Sequence, residues 1–309
     1  MSNQAIMWLA FNTLVVIMLV IDLGLHRKSH EVSFREALTW SGVWIALALL
    51  FNAGIYHFLG KTRALEFFTG FIIEKSLSVD NLFVFIIIFS YFHVSRLHQP
   101  KILKWGIIGA LVMRAIFIFA GIELLAAFHW MIYIFGGILI ITGVKMAFGG
   151  AGKVEPEKNL LVRLVRKCLP VTKRVHGDRF FIAKGGIRAA TPLFLALVMV
   201  ESSDVIFALD SIPAVLAVTR DPFIVYTSNV FAIMGLRALY FLLSNVMGMF
   251  AYLKLGISVI LAFVGVKMLL ADTRFEIPIH FSLGVIFGVL TISIVSSIII
   301  GNRNRGASP

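Results

Sequence analysis

The stretch EKSLSVDNLFVF, Glu74 to Phe85, sets two carboxylates, a lysine, two serines and an asparagine inside a run that otherwise reads as membrane-spanning. An ionisable group inside a bilayer is expensive, so a chain keeps one there only when something answers it. Of the 309 residues, 59% are hydrophobic and 14% charged, with a mean hydropathy of +0.94. A soluble domain holds about 45–50% and about 25% of these classes. The composition is that of an all-α polytopic membrane protein.

Crossing the hydrocarbon takes about 20 mostly apolar residues in a helix. Nine segments qualify: 4–24, 38–58, 66–91, 102–126, 129–149, 191–218, 223–247, 252–271 and 278–300. Cytoplasmic loops carry the excess of Lys and Arg. With the N-terminus outside, the inner loops collect nineteen of these residues, and the outer loops hold only Lys61, Arg63, Arg220 and Arg274. The expected orientation is therefore N-terminus out and C-terminus in. The N-terminus lacks a basic leader and a small-residue cleavage site, so it reads as a retained first span.

The net charge of +12 does not call for a nucleic acid. Ten of the 28 basic residues fall between Lys153 and Arg188, where a cytoplasmic loop held against anionic headgroups accounts for them. Within that loop NLLVRLVRKCL alternates apolar and basic residues at helical spacing, which suits a helix along the inner membrane surface; a solvated linker is the plainer reading. Gly149-Gly150-Ala151-Gly152 and Lys184-Gly185-Gly186 bracket it as expected joints. The single cysteine, Cys168, has no internal disulfide partner and reads as a passive thiol.

The loop separates two related halves. Gly143-Val144-Lys145-Met146 recurs as Gly265-Val266-Lys267-Met268, and Met113-Arg114-Ala115 is echoed by Leu236-Arg237-Ala238. Glu74 with Asp80 is echoed by Asp204 with Asp210, each pair six residues apart. Acidic pair, arginine and GVKM follow in the same order in both halves. The implied units are spans three to five and six to eight. Three is odd, so the second unit enters the membrane from the other side. That is an inverted-topology repeat of three helices each, an architecture that places a transported ion where the repeats meet. The expected layout is two flanking helices in 1–65, a first repeat in 66–149, the basic loop in 150–190, a second repeat in 191–271, and a last span with a tail in 272–309.

Span six, MVESSDVIFALDSIP, adds Glu201, Asp204, Asp210 and Ser211 to the Glu74, Ser78, Asp80 and Asn81 of span three. Five acids facing lipid would cost about 12–17 kcal/mol even at the lenient value of about 2.5–3.5 kcal/mol each. They are expected to face each other, a cation or a water-filled cavity. Pro213 is expected to break span six near Asp210. Arg114, Arg237 and Lys75 are expected as counter-ions, leaving two negative charges, which suits one divalent cation; a purely structural ion-pair network is the alternative. No Cys or His lies in the acidic stretches, so the donor set is all oxygen and favours Mg²⁺, Ca²⁺ or Mn²⁺. Carboxylates in such a pocket take up protons when the metal leaves, which makes cation–proton exchange a natural mechanism. There is no GxSxG, no HExxH and no Gly-x-Gly-Asp in the spans, so an intramembrane enzyme is not expected.

EKSLSVDNLFVF, ESSDVIFALDSIPAVLAVTRDPFIVYTSN, FAIMGLRALYFL, TGVKM and IPIHFSLGVIFGVL together resemble the TerC family of bacterial inner-membrane proteins, within it the Alx branch. The resemblance spans nearly the whole chain. It implies export of Mn²⁺ across the inner membrane, with no resident cofactor, and a repeat design similar to the lysine-exporter superfamily. The wider family is named for tellurite resistance, and some members carry an older label as redox modulators, which keeps a membrane scaffold or redox-associated role as the rival. On this reading Asp80 and Asp210 are metal ligands, Glu74 and Asp204 are ligands or proton carriers, and Glu201 stands at the approach to the site. Ser78, Asn81 and Ser211 support the pocket, and Arg114 and Arg237 keep it tolerable when empty.

Overall fold

The computed structural model describes residues 3–25, 32–148, 159–172, 175–184, 187–246, 253–271 and 273–305. Eleven helices lie among them: α1 (Asn3–Leu25), α2 (Phe34–Leu59), α3 (Lys61–Tyr91), α4 (Gln99–Ala127), α5 (Met131–Phe148), α6 (Leu160–Cys168), α7 (Pro192–Leu216), α8 (Pro222–Met234), α9 (Leu236–Val246), α10 (Leu253–Leu270) and α11 (Ile279–Arg305). Seven of them, α1, α2, α4, α5, α7, α10 and α11, are long and apolar enough to cross a bilayer. The α8–α9 pair, bent by 42°, makes an eighth when counted as one. The chain is thus a polytopic membrane protein. The 31-residue α3 is too charged to join that set, for it holds Lys61, Arg63, Glu66, Glu74, Lys75 and Asp80.

The ends of the helices follow local chemistry. Ser33 caps α2 by accepting from the Glu36 N–H, and Asp221 caps α8 by accepting from Phe223 and Ile224 ahead of Pro222 at the first helical position. Gly60, at φ +92°, alone separates α2 from α3. That left-handed turn is open to glycine and lets α3 begin at Lys61, five residues before the expected start of the span.

Two expectations give way. Pro213 does not break α7, which runs on to Leu216; so close to the helix end, the missing N–H costs one bond in the last turns. The break falls in the next span, at Gly235 between α8 and α9, where a Cβ would come within 2.7 Å of Lys75 Nζ and 3.1 Å of Trp44 Cβ. The long loop is not wholly helical or irregular either. β1 (Phe181–Lys184) and β2 (Ile187–Ala190) pair antiparallel, Phe181 opposite Ala190. The expected joint at Gly185-Gly186 lies between these strands, and both it and Gly149–Gly152 fall outside the described residues. Lys101, at the start of α4, donates to the Asp178 carboxylate at 3.0 Å and also to its carbonyl, which ties the approach to β1 to the bundle.

Helix packing sorts the bundle into a centre and a rim. Half of the apolar window of α7 and 56% of that of α10 are buried, against 17% for α1, α2 and α11. Side chains such as Leu50, Phe58 and Phe148 stand exposed on the outside, as lipid-facing surface requires. The main central pairings are α5 with α10, α3 with α8, α4 with α7, and α3 with α7. In the first, Gly143 lies against Ser258 and Ala262 while Gly136 lies against Gly265 and Leu269, so the two GVKM helices run antiparallel. Their backbones nearly touch: a Cβ on Gly143 would sit 2.7 Å from the Ser258 carbonyl, and one on Gly265 2.8 Å from that of Gly136. Small residues allow this approach, the usual basis of helix association in membranes. α3 and α7 are also antiparallel: Gly70 meets Val215, and Glu74, further along α3, comes level with Asp204 and Ser211.

Candidate functional site

Near the middle of α3, α4 and α7 stand Glu74, Arg114 and Asp204, all buried. Arg114 Nη1 donates to Glu74 Oε1, to Ser211 Oγ at 2.9 Å and to Asn229 Oδ1 of α8 at 3.1 Å. Its Nη2 lies 3.6 Å from Asp204 Oδ1. One guanidinium therefore gathers acids from α3 and α7 together with polar groups of α7 and α8. The fork of donors on a planar cation suits this work, where a lysine would offer a single point.

The network is not closed. Among the described residues, Glu74 Oε2, Asp204 Oδ2 and Arg114 Nε are buried without a hydrogen-bond partner. A buried polar atom left unanswered is costly, and each such atom in a native structure calls for an explanation. Two carboxylates against one guanidinium also leave one negative charge uncompensated within the trio.

The other expected residues are distributed around this centre. Glu201 sits on α7 with its carboxylate in the space over Gly109 of α4, where any side chain would overlap it. Asp210 accepts a 2.9 Å hydrogen bond from Thr142 of α5, the first residue of TGVKM. Ser78 and Asn81 are buried on α3 and Ser211 on α7. The backbone of Asp80 lies in α3, but its side chain is outside the described residues. Among the described residues, no group of three or more His, Cys, Asp and Glu is placed to hold a metal ion.

Two expected counter-ions have other partners. Arg237, at the start of α9, reaches the Asp22 carboxylate of α1 at 2.8 Å. Lys75 Nζ donates to the Ala232 carbonyl at 3.1 Å, at the C-terminal end of α8, where the bend frees carbonyls and the helix dipole welcomes a cation. The angular step along the helix explains this: Lys75 follows Glu74 and so points about 100° away from it.

Sequence reasoning missed Asn229, Thr142 and Asp22. The signal for Asn229 was present in Thr227-Ser228-Asn229, three fully buried polar residues inside an apolar span, the same anomaly as in the opening stretch. Toward the side where Arg96 lies, a cavity of about 200 Å³ is lined by Ser90, Arg96, Gln99, Tyr240 and Ser244, among others. A narrower cleft is lined by Asp204 and Arg237 together with Phe85, Leu103 and Val200.

Comparison with known proteins gives the chain a family. The integral membrane protein TerC family matches residues 59–305. The uncharacterised membrane protein STKORF319 of Myxococcus xanthus is 52% identical over 95% of this chain and 92% of its own. The proposed membrane-bound redox modulator Alx of Escherichia coli (strain K12) is 48% identical over 94% of this chain and 93% of its own. An uncharacterised membrane protein of Rickettsia bellii is 40% identical over 94% and 97%. No solved structure matches the chain. A match over most of its length, at this identity, makes the chain a member of the TerC family of integral membrane proteins.

Proposed function

We propose that the chain is a secondary transporter that exports divalent cations, Mn²⁺ foremost, in exchange for protons through the buried acidic network. The observation that carries this reading is the pair of orphaned carboxylate oxygens, Glu74 Oε2 and Asp204 Oδ2, on helices from opposite halves of the chain. Arg114 acts there as a tethered cation. It holds the two acids together while the site is empty, and an arriving ion or proton takes up the charge it leaves unanswered. Asp80 and Asp210 join as ligands and Glu201 meets the ion on its way, with Ser78, Asn81 and Ser211 supplying neutral oxygens.

In this reading α3 is a span despite its charges, because those charges face protein, and α8–α9 is one bent span, giving nine. Helices α3–α5 and α7–α10 form the inverted repeats. The antiparallel pairings of α3 with α7 and α5 with α10, and the matched pairings of α3 with α8 and α4 with α7, support that symmetry. With the N-terminus outside, the 200 Å³ cavity lies on the cytoplasmic side, where this reading has Mn²⁺ enter.

The direct test is Mn²⁺ flux in proteoliposomes, with and without a pH gradient, for wild type, Asp80→Asn and Asp204→Asn. Flux that requires both carboxylates in folded protein and responds to the gradient supports exchange. The second reading, a membrane scaffold or redox component with a structural network, draws on the Arg114–Glu74 pair and on the name given to the Alx relative. A folded wild type without flux of any divalent cation, and acid variants that lose only abundance, would favour it.

A further inference from the structure

Helix α6 divides its surface into three. Val162, wholly buried, and Val165 face α7. Leu160, Leu161 and Leu164 stand open on the next sector with Cys168. Arg163, Arg166 and Lys167 occupy the remaining sector, exposed and without ion pairs among the described residues. A free-standing linker helix would bury its apolar residues or lack them. An apolar stripe beside a basic one suits a helix whose apolar side meets acyl chains while its long basic side chains reach the headgroups.

The ends of α6 are fixed to the bundle. Asn159 uses both halves of its amide: Oδ1 caps the helix by accepting from Leu161 and Val162 at 3.0 and 3.1 Å, and Nδ2 donates to Ser202 Oγ at 2.8 Å. At the other end the Pro170 carbonyl accepts from the Ala190 N–H at 2.9 Å. The helix therefore runs antiparallel to the first turns of α7, and Asn159 meets α7 ten residues, or about 15 Å, beyond its start. Ser202 lies between Glu201 and Asp204. The bond thus ties the basic loop to the stretch of α7 that bears the acids.

We propose that α6 is a lipid-held latch on α7: anionic phospholipid headgroups of the inner leaflet hold Arg163, Arg166 and Lys167, and the Asn159–Ser202 hydrogen bond passes that hold to the acid-bearing turn. The latch deepens the transport reading above, as a regulator of the same site, but its test does not need transport.

The full chain would be placed in nanodiscs of phosphatidylcholine with or without phosphatidylglycerol. Cys168 is the sole cysteine and takes a polarity-sensitive fluorophore without mutagenesis, while amide exchange reports on residues 199–204. With phosphatidylglycerol the label is shielded from aqueous iodide and quenched by a nitroxide on the acyl chains, and the α7 amides exchange slowly. Replacing Arg163, Arg166 and Lys167 by Gln weakens docking about fivefold per charge removed and speeds α7 exchange to the rate seen in phosphatidylcholine alone. Asn159→Asp keeps the cap but loses the donor, and Ser202→Ala loses the acceptor; both keep Cys168 shielded while α7 exchange quickens. Cys168 equally open to iodide in both lipids would overturn the docking, and α7 exchange unchanged by either of these two variants would overturn the latch. Neither result depends on whether Mn²⁺ moves, so a failed flux assay leaves this proposal to stand or fall by itself.

Discussion

Arg114 and Arg237 occupy the same place in the echoed order of the two halves, each following an acidic pair and preceding a GVKM. Their surroundings differ. Arg114 is shared by Glu74 and Asp204, with Ser211 and Asn229 completing its donors, and every one of these groups is buried in the middle of the bundle. Arg237 turns to Asp22 of α1, a helix outside both halves. One arginine thus serves both halves at once, while its counterpart fastens a rim helix to the centre. The difference teaches that sequence symmetry fixes where a cation stands, not which anion it meets. It also predicts that the two positions respond differently to loss of charge.

Arg114→Met should have the largest effect. It leaves two buried carboxylates facing each other, and breaking a buried pair from one side costs about 3–5 kcal/mol. Thermal melting in detergent should show most of the folded protein lost, and Glu74→Gln should restore only part, because Asp204 remains charged. Arg237→Met should cost less, since of the acids it faces, Asp22 and Glu36, the second is partly exposed. The sharper test is the double variant Arg237→Met with Asp22→Asn, which removes both charges and should recover most of the melting temperature. A failure of this rescue would mean that Arg237 serves more than Asp22, and the contrast with Arg114 would weaken.

The glycine pair gives the opposite case, in which the halves remain alike. Gly143 and Gly265 each press on the other's helix, so Gly143→Val and Gly265→Val should cost similar amounts, about 1–3 kcal/mol by overpacking. Gly137, with open space where a Cβ would stand, should accept Val with little change. Unequal costs at 143 and 265, read from the same melting curves, would show that the α5–α10 contact has diverged as the arginines have.

Much of the fold is legible in the sequence. Spacing and hydropathy locate the helices, because a bilayer admits little else, and of the polar groups singled out in EKSLSVDNLFVF it is Glu74 that meets Arg114. Pairing is harder to read. Periodicity says which face a side chain occupies but not which helix lies opposite, so Arg237 meets an acid of span one that no pattern singles out. Lys75 meets a backbone carbonyl exposed by a bend that no proline announces. Thr142 is legible only as part of a recurring word. Its hydroxyl acquires meaning once α5 is seen beside Asp210.

The smallest effect is expected where charge meets water. Lys101 beside Asp178 holds that carboxyl below the usual aspartate range. A group whose pKa is lowered by folding adds stability above its unfolded value, and loses it as pH falls through the lowered one. The segment leading into β1 should therefore stay docked on α4 at neutral pH and loosen only in acid, below the ordinary aspartate range. Both partners are well exposed, at 32% and 61%, so the pair is worth about 0.2–1 kcal/mol and weakens with salt. Limited proteolysis of the 175–184 segment should quicken slightly in Asp178→Asn at neutral pH, and that variant should lose the acid dependence. Unlike Arg114, whose loss strands its acids without solvent, Lys101 leaves an aspartate that water can answer. The same change of charge, made at the surface and at the centre, should thus differ severalfold in cost. A Lys101→Met variant as damaging as Arg114→Met would mean that burial does not set the cost of stranding a charge in this bundle.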